Sequence, residues 1–491
     1  MKLGEETVLS IDVGTTALKG VLLARSGELL ADGEGTLQTS RSSEGHLEQD
    51  PDSWWRALAT LCNEWTQAGV ELRGVRALVL SGQMQDLVLT REAVPAAPAI
   101  LYSDARAVRE VDEAASRLGL NPALATGNPF TAASLPPKLL WLSRHAPQTL
   151  TGRPRLHVGA KDVLIERLCG AHVTDHTAAA TTGLYDLARG RWYESWMDTL
   201  APGVQLPRLR WPCEVAGLLF PGPAESLGLP ESIPVLTGLG DAGATTLGAG
   251  VSRAGERYLY LGTSGWVGTV ISQRLSRAGE GFRLPLLNLG EVLAVAPIGN
   301  AGSAHRWAAQ TFAGGSYEEL ERLMMRAPAS DLLCLPSVKG ERPPVNDPRA
   351  QGIFHGVDPR TDAGTLAHAV LEGVAFALRQ TAERLGTRRP EQQTLTVLGG
   401  GTRSVTWRKV IADVFGMTVC VPGQAALLPV LGGAYPAFRH LGWTGSVAEY
   451  QRQVLTSQER ALQAPSSALA AHYDLKYARY QELSARMDPL P

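Results

Sequence analysis

The chain has few cysteines and almost no excess of charge of either sign. Only five of its 491 residues are cysteine, and no two of them form a C-x-x-C pair, so the sequence indicates neither a disulfide framework nor a zinc site. Its 46 Lys and Arg residues nearly balance its 48 Asp and Glu residues, for a net charge of −2. Because binding to nucleic acid or to an acidic membrane usually requires a clustered basic excess, such partners are not expected.

Long apolar runs are also missing. No stretch approaches the roughly 18 residues that a membrane-spanning helix requires, and Met1–Glu6 has no secretory signal. Together with the cysteine usage, this predicts a cytoplasmic protein. The length of 491 residues, with 44% hydrophobic and 19% charged residues, indicates two folded domains rather than a disordered chain.

One short pattern occurs twice, about half the chain apart. Residues 10–21 read Ser-Ile-Asp-Val-Gly-Thr-Thr-Ala-Leu-Lys-Gly-Val, and residues 258–269 read Tyr-Leu-Tyr-Leu-Gly-Thr-Ser-Gly-Trp-Val-Gly-Thr. Each copy is an apolar strand, a Gly-Thr-(Thr/Ser) turn and a second apolar strand, and such a turn presents N–H groups and hydroxyls to an anion. Two copies predict a pair of phosphate-binding turns in two related domains. The copies differ where Asp12 is matched by Tyr260.

The periodicity of apolar residues predicts alternating strands and helices. The predicted strands are 7–13, 20–24, 75–80, 233–236 and 394–398, and the predicted helices are 52–65, 365–385, 407–415 and a last packing helix after Pro465. The proline-rich stretch 201–236 interrupts this periodicity, which predicts a surface excursion rather than a core element. The second repeat opens a second domain near residue 254.

Asp12 directly precedes the first turn. An acid at this place either caps the loop or helps to hold a magnesium ion through water, since Mg²⁺ keeps several waters and takes one or two carboxylates. The duplicated turn favours the second interpretation, in which Thr15 and Thr16 bind phosphate oxygens and Lys19 adds positive charge. No G-x-x-x-x-G-K-[ST] motif is present, which excludes a P-loop enzyme. A duplicated phosphate turn with a single acid indicates a nucleotide-dependent enzyme.

Asp241 lies in a glycine-rich turn that follows an apolar strand. Aspartate in such a loop often forms an Asx turn, and it can also act as a general base toward a hydroxyl that attacks a γ-phosphate. Phosphoryl transfer needs mainly positioning, metal and charge stabilisation, and one group that orients the nucleophile. Two further segments, Asn300–Trp307 and Gly399–Arg403, suit either an adenosine or ordinary packing.

Taken in order, these motifs resemble those of the FGGY family of carbohydrate kinases, and within it those of the xylulokinase group. The resemblance covers nearly the whole chain. Its segments are Asp12–Thr16 and Leu261–Ser264 for the two phosphate motifs, Gln49–Pro51 with Trp54–Trp55 for an early helix, Tyr102–Arg106 for a W-N-D-x-R segment, Gly240–Asp241 for the catalytic turn, Leu335–Arg342 for an L-P-Y-x-x-G-E-R segment, and Gly399–Ser404 with Trp407 for the adenosine segment.

The resemblance implies an α/β protein made of two actin-like ATPase (ribonuclease H-like) domains with a nucleotide cleft between them. It implies an N-terminal domain over residues 1–253 that carries the sugar, magnesium and catalytic residues. A nucleotide-binding C-terminal domain over 254–443 and a helical extension over 444–491 would follow. ATP and Mg²⁺ are the implied cofactors.

The same resemblance gives each candidate residue a role. Asp241 would be the catalytic base, and Asp12 would be the magnesium-linked acid. The substrate-binding residues would be Met84, Gln85, Asp86, Asp104 and Asp241. The nucleotide-binding residues would be Thr15, Thr16, Lys19, Gly262, Thr263, Gly302, Arg306, Gly400 and Gly401.

The chain departs from the xylulokinase pattern at the expected sugar site. Where that group typically reads G-Q-M-H-G, residues 82–86 read Gly-Gln-Met-Gln-Asp, and Ala242 replaces the usual asparagine. Gln85 can still donate and accept hydrogen bonds but cannot titrate as histidine does. Asp86 would either accept hydrogen bonds from sugar hydroxyls or be a solvated acid at the end of the loop.

The function implied by the resemblance is ATP-dependent phosphorylation of a terminal hydroxyl of a small sugar, with D-xylulose, giving D-xylulose 5-phosphate, as the leading substrate. The alternatives are a kinase for L-ribulose, L-fuculose, a polyol or an autoinducer-2-type substrate, a non-catalytic actin-like ATPase, and a sugar sensor. The polar segment 83–86 and the Asp241 turn favour an enzyme over the non-catalytic ATPase, because a filament-forming protein needs neither. The expected partners are the sugar or polyol and ATP, and a homodimer is expected because many family members are dimers.

Overall fold

The computed structural model describes residues 5–272, 281–327, 330–338, 340, 349–386, 394–455 and 460–486. They form two compact units. The first unit consists of the described residues of Met1–Ser252, Ser272–Leu293 and Ala426–Ser457. The second consists of those of Arg253–Ile271, Ala294–Ala425 and Gln458–Pro491.

The first unit is organised around a mixed sheet of six strands. Their order is Val215–Leu218, Pro234–Gly240, Val75–Gly82, Thr7–Val13, Ala17–Ala24 and Leu29–Thr36. The predicted strand 7–13 is confirmed, and it pairs antiparallel with Ala17–Ala24 and parallel with Val75–Gly82. Because Asp12 pairs with Ser81 and Gly240 pairs with Gly82, the carboxyl ends of three parallel strands meet at one edge of the sheet.

The predicted helix 52–65 is confirmed as Pro51–Gln67 and covers one face of this sheet. It begins where the sequence indicates, because the Asp50 carboxylate accepts a hydrogen bond from the Asp52 N–H at 3.0 Å. Its buried face carries Leu58 and Trp65, which pack into the core formed with the strands. The core under the sheet therefore follows from the helical spacing of these apolar residues.

The remaining elements of the first unit surround the central sheet. A second sheet has the order Arg155–Gly159, Met84–Arg91, Ala99–Ile100, Leu47–Gln49 and Ser40–Arg41, and Val94–Pro95 pairs with Met84–Arg91. Two small pairs are Val173–Asp175 with Arg208–Arg210 and Tyr185–Asp186 with Arg191–Trp192. The helices are Val111–Arg117, Pro122–Thr126, Leu135–His145, Ala160–Cys169, His176–Ala180, Glu194–Leu200, Pro221–Leu227, Asp241–Gly248, Leu428–Gly433, Tyr435–His440 and Val447–Tyr450, and Phe282–Pro285 is a further strand.

The prediction that 201–236 is a surface excursion is wrong. Val215–Leu218 extends the central sheet antiparallel to Pro234–Gly240, and Leu219 and Leu227 are each only 1% exposed. The prolines of this stretch begin or separate short elements: Pro221 occupies the first turn of helix Pro221–Leu227, where the missing N–H costs no intrahelical bond. Proline content therefore marked the boundaries of core elements and not their absence.

The second unit repeats the central arrangement of the first. Its main sheet runs Glu291–Ile298, Gly265–Ser272, Arg257–Leu261, Thr394–Leu398, Thr418–Pro422 and Arg460–Gln463. Arg257–Leu261 has an antiparallel hairpin partner on one side and the parallel strand Thr394–Leu398 on the other. Leu333–Leu335 pairs with Ile353–His355, and the helices are Gly302–Phe312, Tyr317–Arg326, Ala363–Arg384, Val405–Phe415 and Ala470–Arg486. In the described part of the chain, no helix is both long and apolar enough to cross a membrane.

The segment after residue 425 is distributed differently from the predicted domains. Ala426–Ser457 belongs to the first unit, although most of the second unit precedes it in sequence. Helix Leu428–Gly433 lies beside strand Thr7–Val13, where the buried Ser10 hydroxyl donates a hydrogen bond to the Val430 carbonyl at 2.7 Å. Periodicity gives no sign of this return, because it reports the type of an element and not its neighbours.

Helix Leu428–Gly433 also lies against helix Asp241–Gly248, with Gly432 at the closest approach. A Cβ atom at Gly432 would collide with the Ala244 carbonyl oxygen and the Gly248 nitrogen. We expect Gly432→Ala to lower the free energy of unfolding by about 1–3 kcal/mol, the usual cost of inserting a methyl group into a well-packed interior. Thermal and urea unfolding would measure the loss.

Gly222→Ala is the matched control. Gly222 belongs to the same unit, and no atom lies within 4 Å of the position of its Cβ. Its substitution should leave the unfolding midpoint unchanged within error. Equal midpoints for the two variants would contradict the close helix packing.

Candidate active site

Asp12 is a nearly buried acid at the end of strand Thr7–Val13, with 7% of its surface exposed. Its Oδ1 atom accepts a hydrogen bond from the Ser81 hydroxyl at 2.7 Å. Burial raises the pKa of Asp12, while the Ser81 hydrogen bond and the charge of Lys19, its partner across the hairpin, oppose the rise. Asp12 is therefore held in a fixed orientation, with Ser81 engaging one of its two oxygens.

The turn that follows Asp12 is fixed by two glutamines. The Thr15 hydroxyl donates to Gln83 Oε1 at 3.0 Å, and Gln49 Nε2 donates to the Thr15 carbonyl at 2.6 Å. Gln83 Nε2 donates in turn to Gln49 Oε1 at 3.0 Å. Thr16 is exposed, and Lys19 Nζ donates one hydrogen bond, to the Ala426 carbonyl at 2.9 Å. The hydroxyl of Thr16 and further N–H groups of Lys19 are thus available to an anion.

Asp241 follows strand Pro234–Gly240 directly and opens helix Asp241–Gly248. Burial raises the pKa of Asp241 to about 7, the charges of Asp12 and Asp175 add to the rise, and the Ala242 N–H opposes it. A carboxylate with a pKa close to neutral is matched to accepting a proton at physiological pH. The geometry therefore suits the role of base that the sequence predicts for Asp241.

Met84 explains why a glycine precedes Asp241. A Cβ atom at Gly240 would collide with the Met84 sulfur. Met84 therefore packs directly against the backbone from which the Asp241 side chain projects. The structure brings Asp12 and Asp241 to the same edge of the central sheet, and Met84 lies against that edge at Gly240.

Gln85 and Asp86, the two residues that depart from the xylulokinase pattern, are both buried. Gln85 adopts a left-handed backbone conformation (φ 65°), and its Nε2 donates to the Thr181 carbonyl at 2.8 Å. Asp86 is fully buried, its Oδ1 accepts from the Tyr102 N–H at 3.0 Å, and its Oδ2 has no hydrogen-bond partner among the described residues. The alternative that Asp86 is a solvated acid is therefore wrong.

A buried lysine accompanies Asp86. Lys138 is fully buried, and its Nζ donates to the Leu101 carbonyl at 2.8 Å. Burial raises the pKa of the Asp86 carboxyl and lowers that of the Lys138 amine, while each charge opposes the shift of the other. The carboxylate at position 86 is thus balanced from within the protein.

Asp104 forms a bidentate ion pair with Arg106. Its Oδ1 and Oδ2 atoms accept from Arg106 Nε and Nη2 at 2.9 and 2.8 Å, and Oδ2 also accepts from the Leu47 N–H at 2.6 Å. Burial acts to raise the pKa of Asp104, but these bonds outweigh it and the pKa is lowered. Both oxygens are engaged, so the structure gives Asp104 the geometry of a residue that fixes the loop, and its contact with substrate stays a prediction.

In the second unit, the turn after strand Arg257–Leu261 is held by the start of helix Gly302–Phe312. The Gly302 N–H donates to the Gly262 carbonyl at 2.8 Å, and the Ser303 N–H donates to the Thr263 carbonyl at 2.9 Å. A Cβ atom at Gly302 would collide with the Gly262 carbonyl oxygen. This close approach is what requires glycine at position 302.

The six nucleotide-site candidates of the second unit line one cavity of about 700 Å³. They are Gly262, Thr263, Gly302, Arg306, Gly400 and Gly401. The other lining residues, which the sequence did not indicate individually, are Leu261, His305, Tyr317, Glu318, Glu321, Arg322, Arg403, Ser404 and Val405. Four of these lie on helix Tyr317–Arg326, whose polar face cannot be told from an ordinary solvated face by its pattern.

The two repeats differ in register as well as in sequence. Val13 pairs with Leu18, so residues 14–17 form the first turn, whereas Leu261 pairs with Gly265, so only 262–264 form the second. Across the second hairpin Tyr260 faces Trp266, and their rings stack with centroids 3.7 Å apart. An aromatic pair therefore takes the place that Asp12 and Lys19 hold in the first repeat.

Two models of one protein family match the chain, one in each half. Residues 7–248 match the N-terminal domain of the FGGY family of carbohydrate kinases, and residues 258–441 match its C-terminal domain. The chain belongs to the FGGY family. It is therefore a phosphotransferase, and sugar kinases of this family use ATP as a substrate.

Relatives within the FGGY family match over nearly the full length. The chain is 30% identical to the xylulose kinase of Escherichia coli, over 98% of this chain and 99% of that protein. A xylulose kinase structure from Rhodospirillum rubrum has 27% identity and a TM-score of 0.87, and a gluconate kinase structure from Lactobacillus acidophilus has 25% identity and a TM-score of 0.86. Each alignment covers 99% of both chains. These matches confirm the predicted fold of two actin-like ATPase domains.

The raised pKa of Asp241 has a consequence for stability. Unfolded aspartate has a pKa of about 3.9, so above that value the unfolded state gains more from ionisation than the folded state does. The resulting destabilisation grows as pH rises and is complete above pH about 7, where Asp241 is charged in both states. We expect Asp241→Asn to raise the melting temperature, and to raise it more at pH 8 than at pH 5.

Asp186→Asn is the control for this experiment. Asp186 is also a buried carboxylate of the first unit, but it accepts hydrogen bonds from the Arg189 N–H and guanidinium at 3.0 and 2.9 Å. Its substitution should not stabilise the protein at either pH. A melting temperature of the Asp241→Asn variant that is unchanged or lower at pH 8 would show that the charge of Asp241 carries no such cost.

Proposed function

We propose that this kinase transfers the γ-phosphoryl group of ATP to a terminal hydroxyl of a small open-chain sugar, and that D-xylulose is its substrate. The observation that carries the proposal is the Asp241 carboxylate, which has a pKa near neutral and projects from the sheet edge that also holds Asp12. The relatives that match over nearly the full length and are named xylulose kinases support the choice of sugar. The reaction would take place in the cytoplasm.

Asp241 acts as the general base in this proposal. Its carboxylate accepts the proton of the acceptor hydroxyl while the hydroxyl oxygen bonds to the γ-phosphorus. The bond between the γ-phosphorus and the bridging oxygen breaks, and ADP leaves with the negative charge. Above pH about 7 the Asp241 carboxyl is mostly ionised and ready to accept the proton.

The nucleotide would be held by the cavity of the second unit. A volume of about 700 Å³ is within the range of pockets for small ligands and cofactors. Gly400, with no atom within 4 Å of its Cβ position, leaves room for a ligand against the backbone, and Gly302 and Gly401 line the same cavity. Gly262 and Thr263 would supply hydrogen-bond donors, and Arg306 would supply a positive charge. Thr15, Thr16 and Lys19 would bind phosphate oxygens from the first unit.

The carboxylate of Asp12 fits a magnesium ion that travels with ATP. Ser81 engages one carboxylate oxygen, and Mg²⁺ takes few protein ligands and keeps several waters. Among the described residues there is no cluster of three or more His, Cys, Asp or Glu side chains suited to a metal ion. When bound, the ion would offset the charge of the phosphates, and Asp12 would orient it through water.

Charge favours a neutral acceptor over an acidic one. Asp12, Asp86 and Asp241 all belong to the first unit. The charge of Asp12 raises the pKa of Asp241, and the charge of Asp241 raises the pKa of Asp86. A sugar acid would add another negative charge to this region, which like-charge repulsion disfavours. D-xylulose therefore suits these residues better than gluconate, the substrate named for one structural neighbour.

A homodimer is the assembly that we propose, to be measured by light scattering.

We expect D-xylulose to give the highest kcat/KM in a coupled ADP-release assay against ketoses, polyols and aldonates. Asp241→Asn should lower sugar-dependent turnover by at least 100-fold, because removal of a general base typically costs 10²–10⁴-fold, and it should leave ATP binding nearly intact. Turnover no greater than the ATP hydrolysis in water alone, with every acceptor, would contradict the proposed function. Loss of ATP binding in the Asp241→Asn variant would contradict the role of Asp241 as base.

A second prediction concerns the acceptor. The double variant Gln85→His with Asp86→Gly should change the ratio of kcat/KM for D-xylulose to that for other acceptors by about tenfold or more toward D-xylulose. A hydrogen bond to a charged group contributes about 1.5–3 kcal/mol, which is enough for such a change. Asp86→Asn keeps the side-chain volume and removes the charge. It therefore separates the loss of charge from the loss of volume that Asp86→Gly also causes. An unchanged ratio with an unchanged KM for ATP would show that these positions do not set specificity.

A further inference from the structure

Three buried charged residues of the first unit form a network for which the proposed chemistry gives no role. Lys161, Asp162 and Asp175 are each at most 1% exposed. Lys161 Nζ lies 2.7 Å from Asp162 Oδ1 and 3.0 Å from Asp175 Oδ1, and it donates to the Thr237 carbonyl at 3.3 Å. Burying such a network costs free energy, and well-packed apolar residues in its place often stabilise a protein equally or better.

Asp175 connects this network to the turn that carries Asp241. Its Oδ2 atom accepts from the N–H groups of Thr177 at 2.9 Å, Ala178 at 3.3 Å and Gly240 at 3.3 Å. The first two N–H groups begin helix His176–Ala180, and the third belongs to the residue just before Asp241. One carboxylate therefore joins a helix start to the end of strand Pro234–Gly240.

The strand is held at two points by the same network. Lys161 bonds to the carbonyl of Thr237, and Asp175 bonds to the N–H of Gly240. On the side-chain side of Gly240, Met84 leaves no room even for a Cβ atom. The direction of the following peptide is thus set by the hydrogen bond that the Gly240 N–H donates to Asp175 and by the contact with Met84. Positional control of this kind is a documented use of buried polar groups.

We propose that Asp175, held in place by Lys161, is a positioning residue that fixes the direction of the Asp241 carboxylate toward the acceptor hydroxyl. The inference rests on the proposed role of Asp241 as base. It gives the Lys161–Asp162–Asp175 network a catalytic purpose in addition to its place in the fold.

The charge of Asp175 also acts on Asp241. After burial and the charge of Asp12, Asp175 is a further cause of the raised pKa of Asp241. The charged groups placed around the turn are Asp12 on strand Thr7–Val13, Asp86 on strand Met84–Arg91, and Lys161 and Asp162 on helix Ala160–Cys169. Removal of the Asp175 charge should therefore lower the pKa of Asp241, which a role confined to stability would not require.

The test compares two variants that separate charge from geometry. Asp175→Asn keeps an acceptor oxygen at the same distance from the backbone and removes the charge. We therefore expect the acid limb of the pH profile of kcat/KM to move to lower pH, with a kcat loss of about tenfold. Asp175→Glu keeps the charge and displaces the oxygen, so kcat should fall about 100-fold while the acid limb stays in place. The KM for ATP should change less than twofold in both.

Asp186→Asn is the matched control, because Asp186 is a buried carboxylate that caps the Arg189 N–H elsewhere in the same unit. Its kcat and pH profile should match those of the unchanged protein. A wild-type kcat and acid limb in both Asp175 variants would overturn the proposal, as would equal kcat losses in the Asp186 and Asp175 variants. If Asp175→Asn does not fold, the kcat of Asp175→Glu decides the question.

A measurement without turnover separates this inference from the proposed function. If the unchanged protein phosphorylates no acceptor, the proposed function fails. The pKa of Asp241 can then still be followed by NMR of ¹³C-carboxyl aspartate, with the signal assigned through Asp241→Asn. A lower pKa of Asp241 in Asp175→Asn supports the coupling of the two carboxylates, and an unchanged pKa overturns it.

Discussion

Mutual repulsion among carboxylates is the constraint on which the first unit depends. Asp12, Asp86 and Asp175 are buried and Asp241 is partly exposed, and the charge of one raises the pKa of another. Such an arrangement persists only where each charge finds hydrogen-bond donors or a cation inside the protein. The fold supplies the Ser81 hydroxyl, backbone N–H groups at strand ends and helix starts, and two buried lysines. The central sheet brings these donors together because three parallel strands end at one edge.

The two units use the same framework for different purposes. In each, a strand lies between an antiparallel hairpin partner and a parallel strand, and the hairpin turn carries Gly and Thr. In the first unit the strand beside the turn ends in an acid, whereas in the second the corresponding residue is a tyrosine stacked on Trp266. The second turn is held by the helix that begins at Gly302, and it lines a cavity whose carboxylates, Glu318 and Glu321, lie on helix Tyr317–Arg326. The related architecture thus places an acid beside the turn in the first unit and an aromatic pair beside it in the second.

Much of this could be read from the sequence where the signal is local. The strand 7–13, the helix that begins after Asp50 and the strand 394–398 follow from spacing and capping residues. The return of Ala426–Ser457 to the first unit could not be predicted, because its contacts with Thr7–Val13 depend on topology. The roles of Lys161 and Asp175 were missed for a similar reason: they are 65 or more positions away from the residue that they hold, and no periodic pattern connects them.

The burial of Gln85 and Asp86 changes the interpretation of their departure from the xylulokinase pattern. Asp86 accepts from the Tyr102 N–H, and Lys138 donates to the carbonyl of the preceding residue, Leu101. These two backbone groups lie two and three residues before Asp104, whose carboxylate is paired with Arg106. A change at position 86 would therefore alter the balance of charge at Lys138 and the backbone path to Asp104 together. Under the proposed function, acceptor specificity would be a property of this connected set of buried residues, and a substitution at a single position would not reproduce the site of a relative.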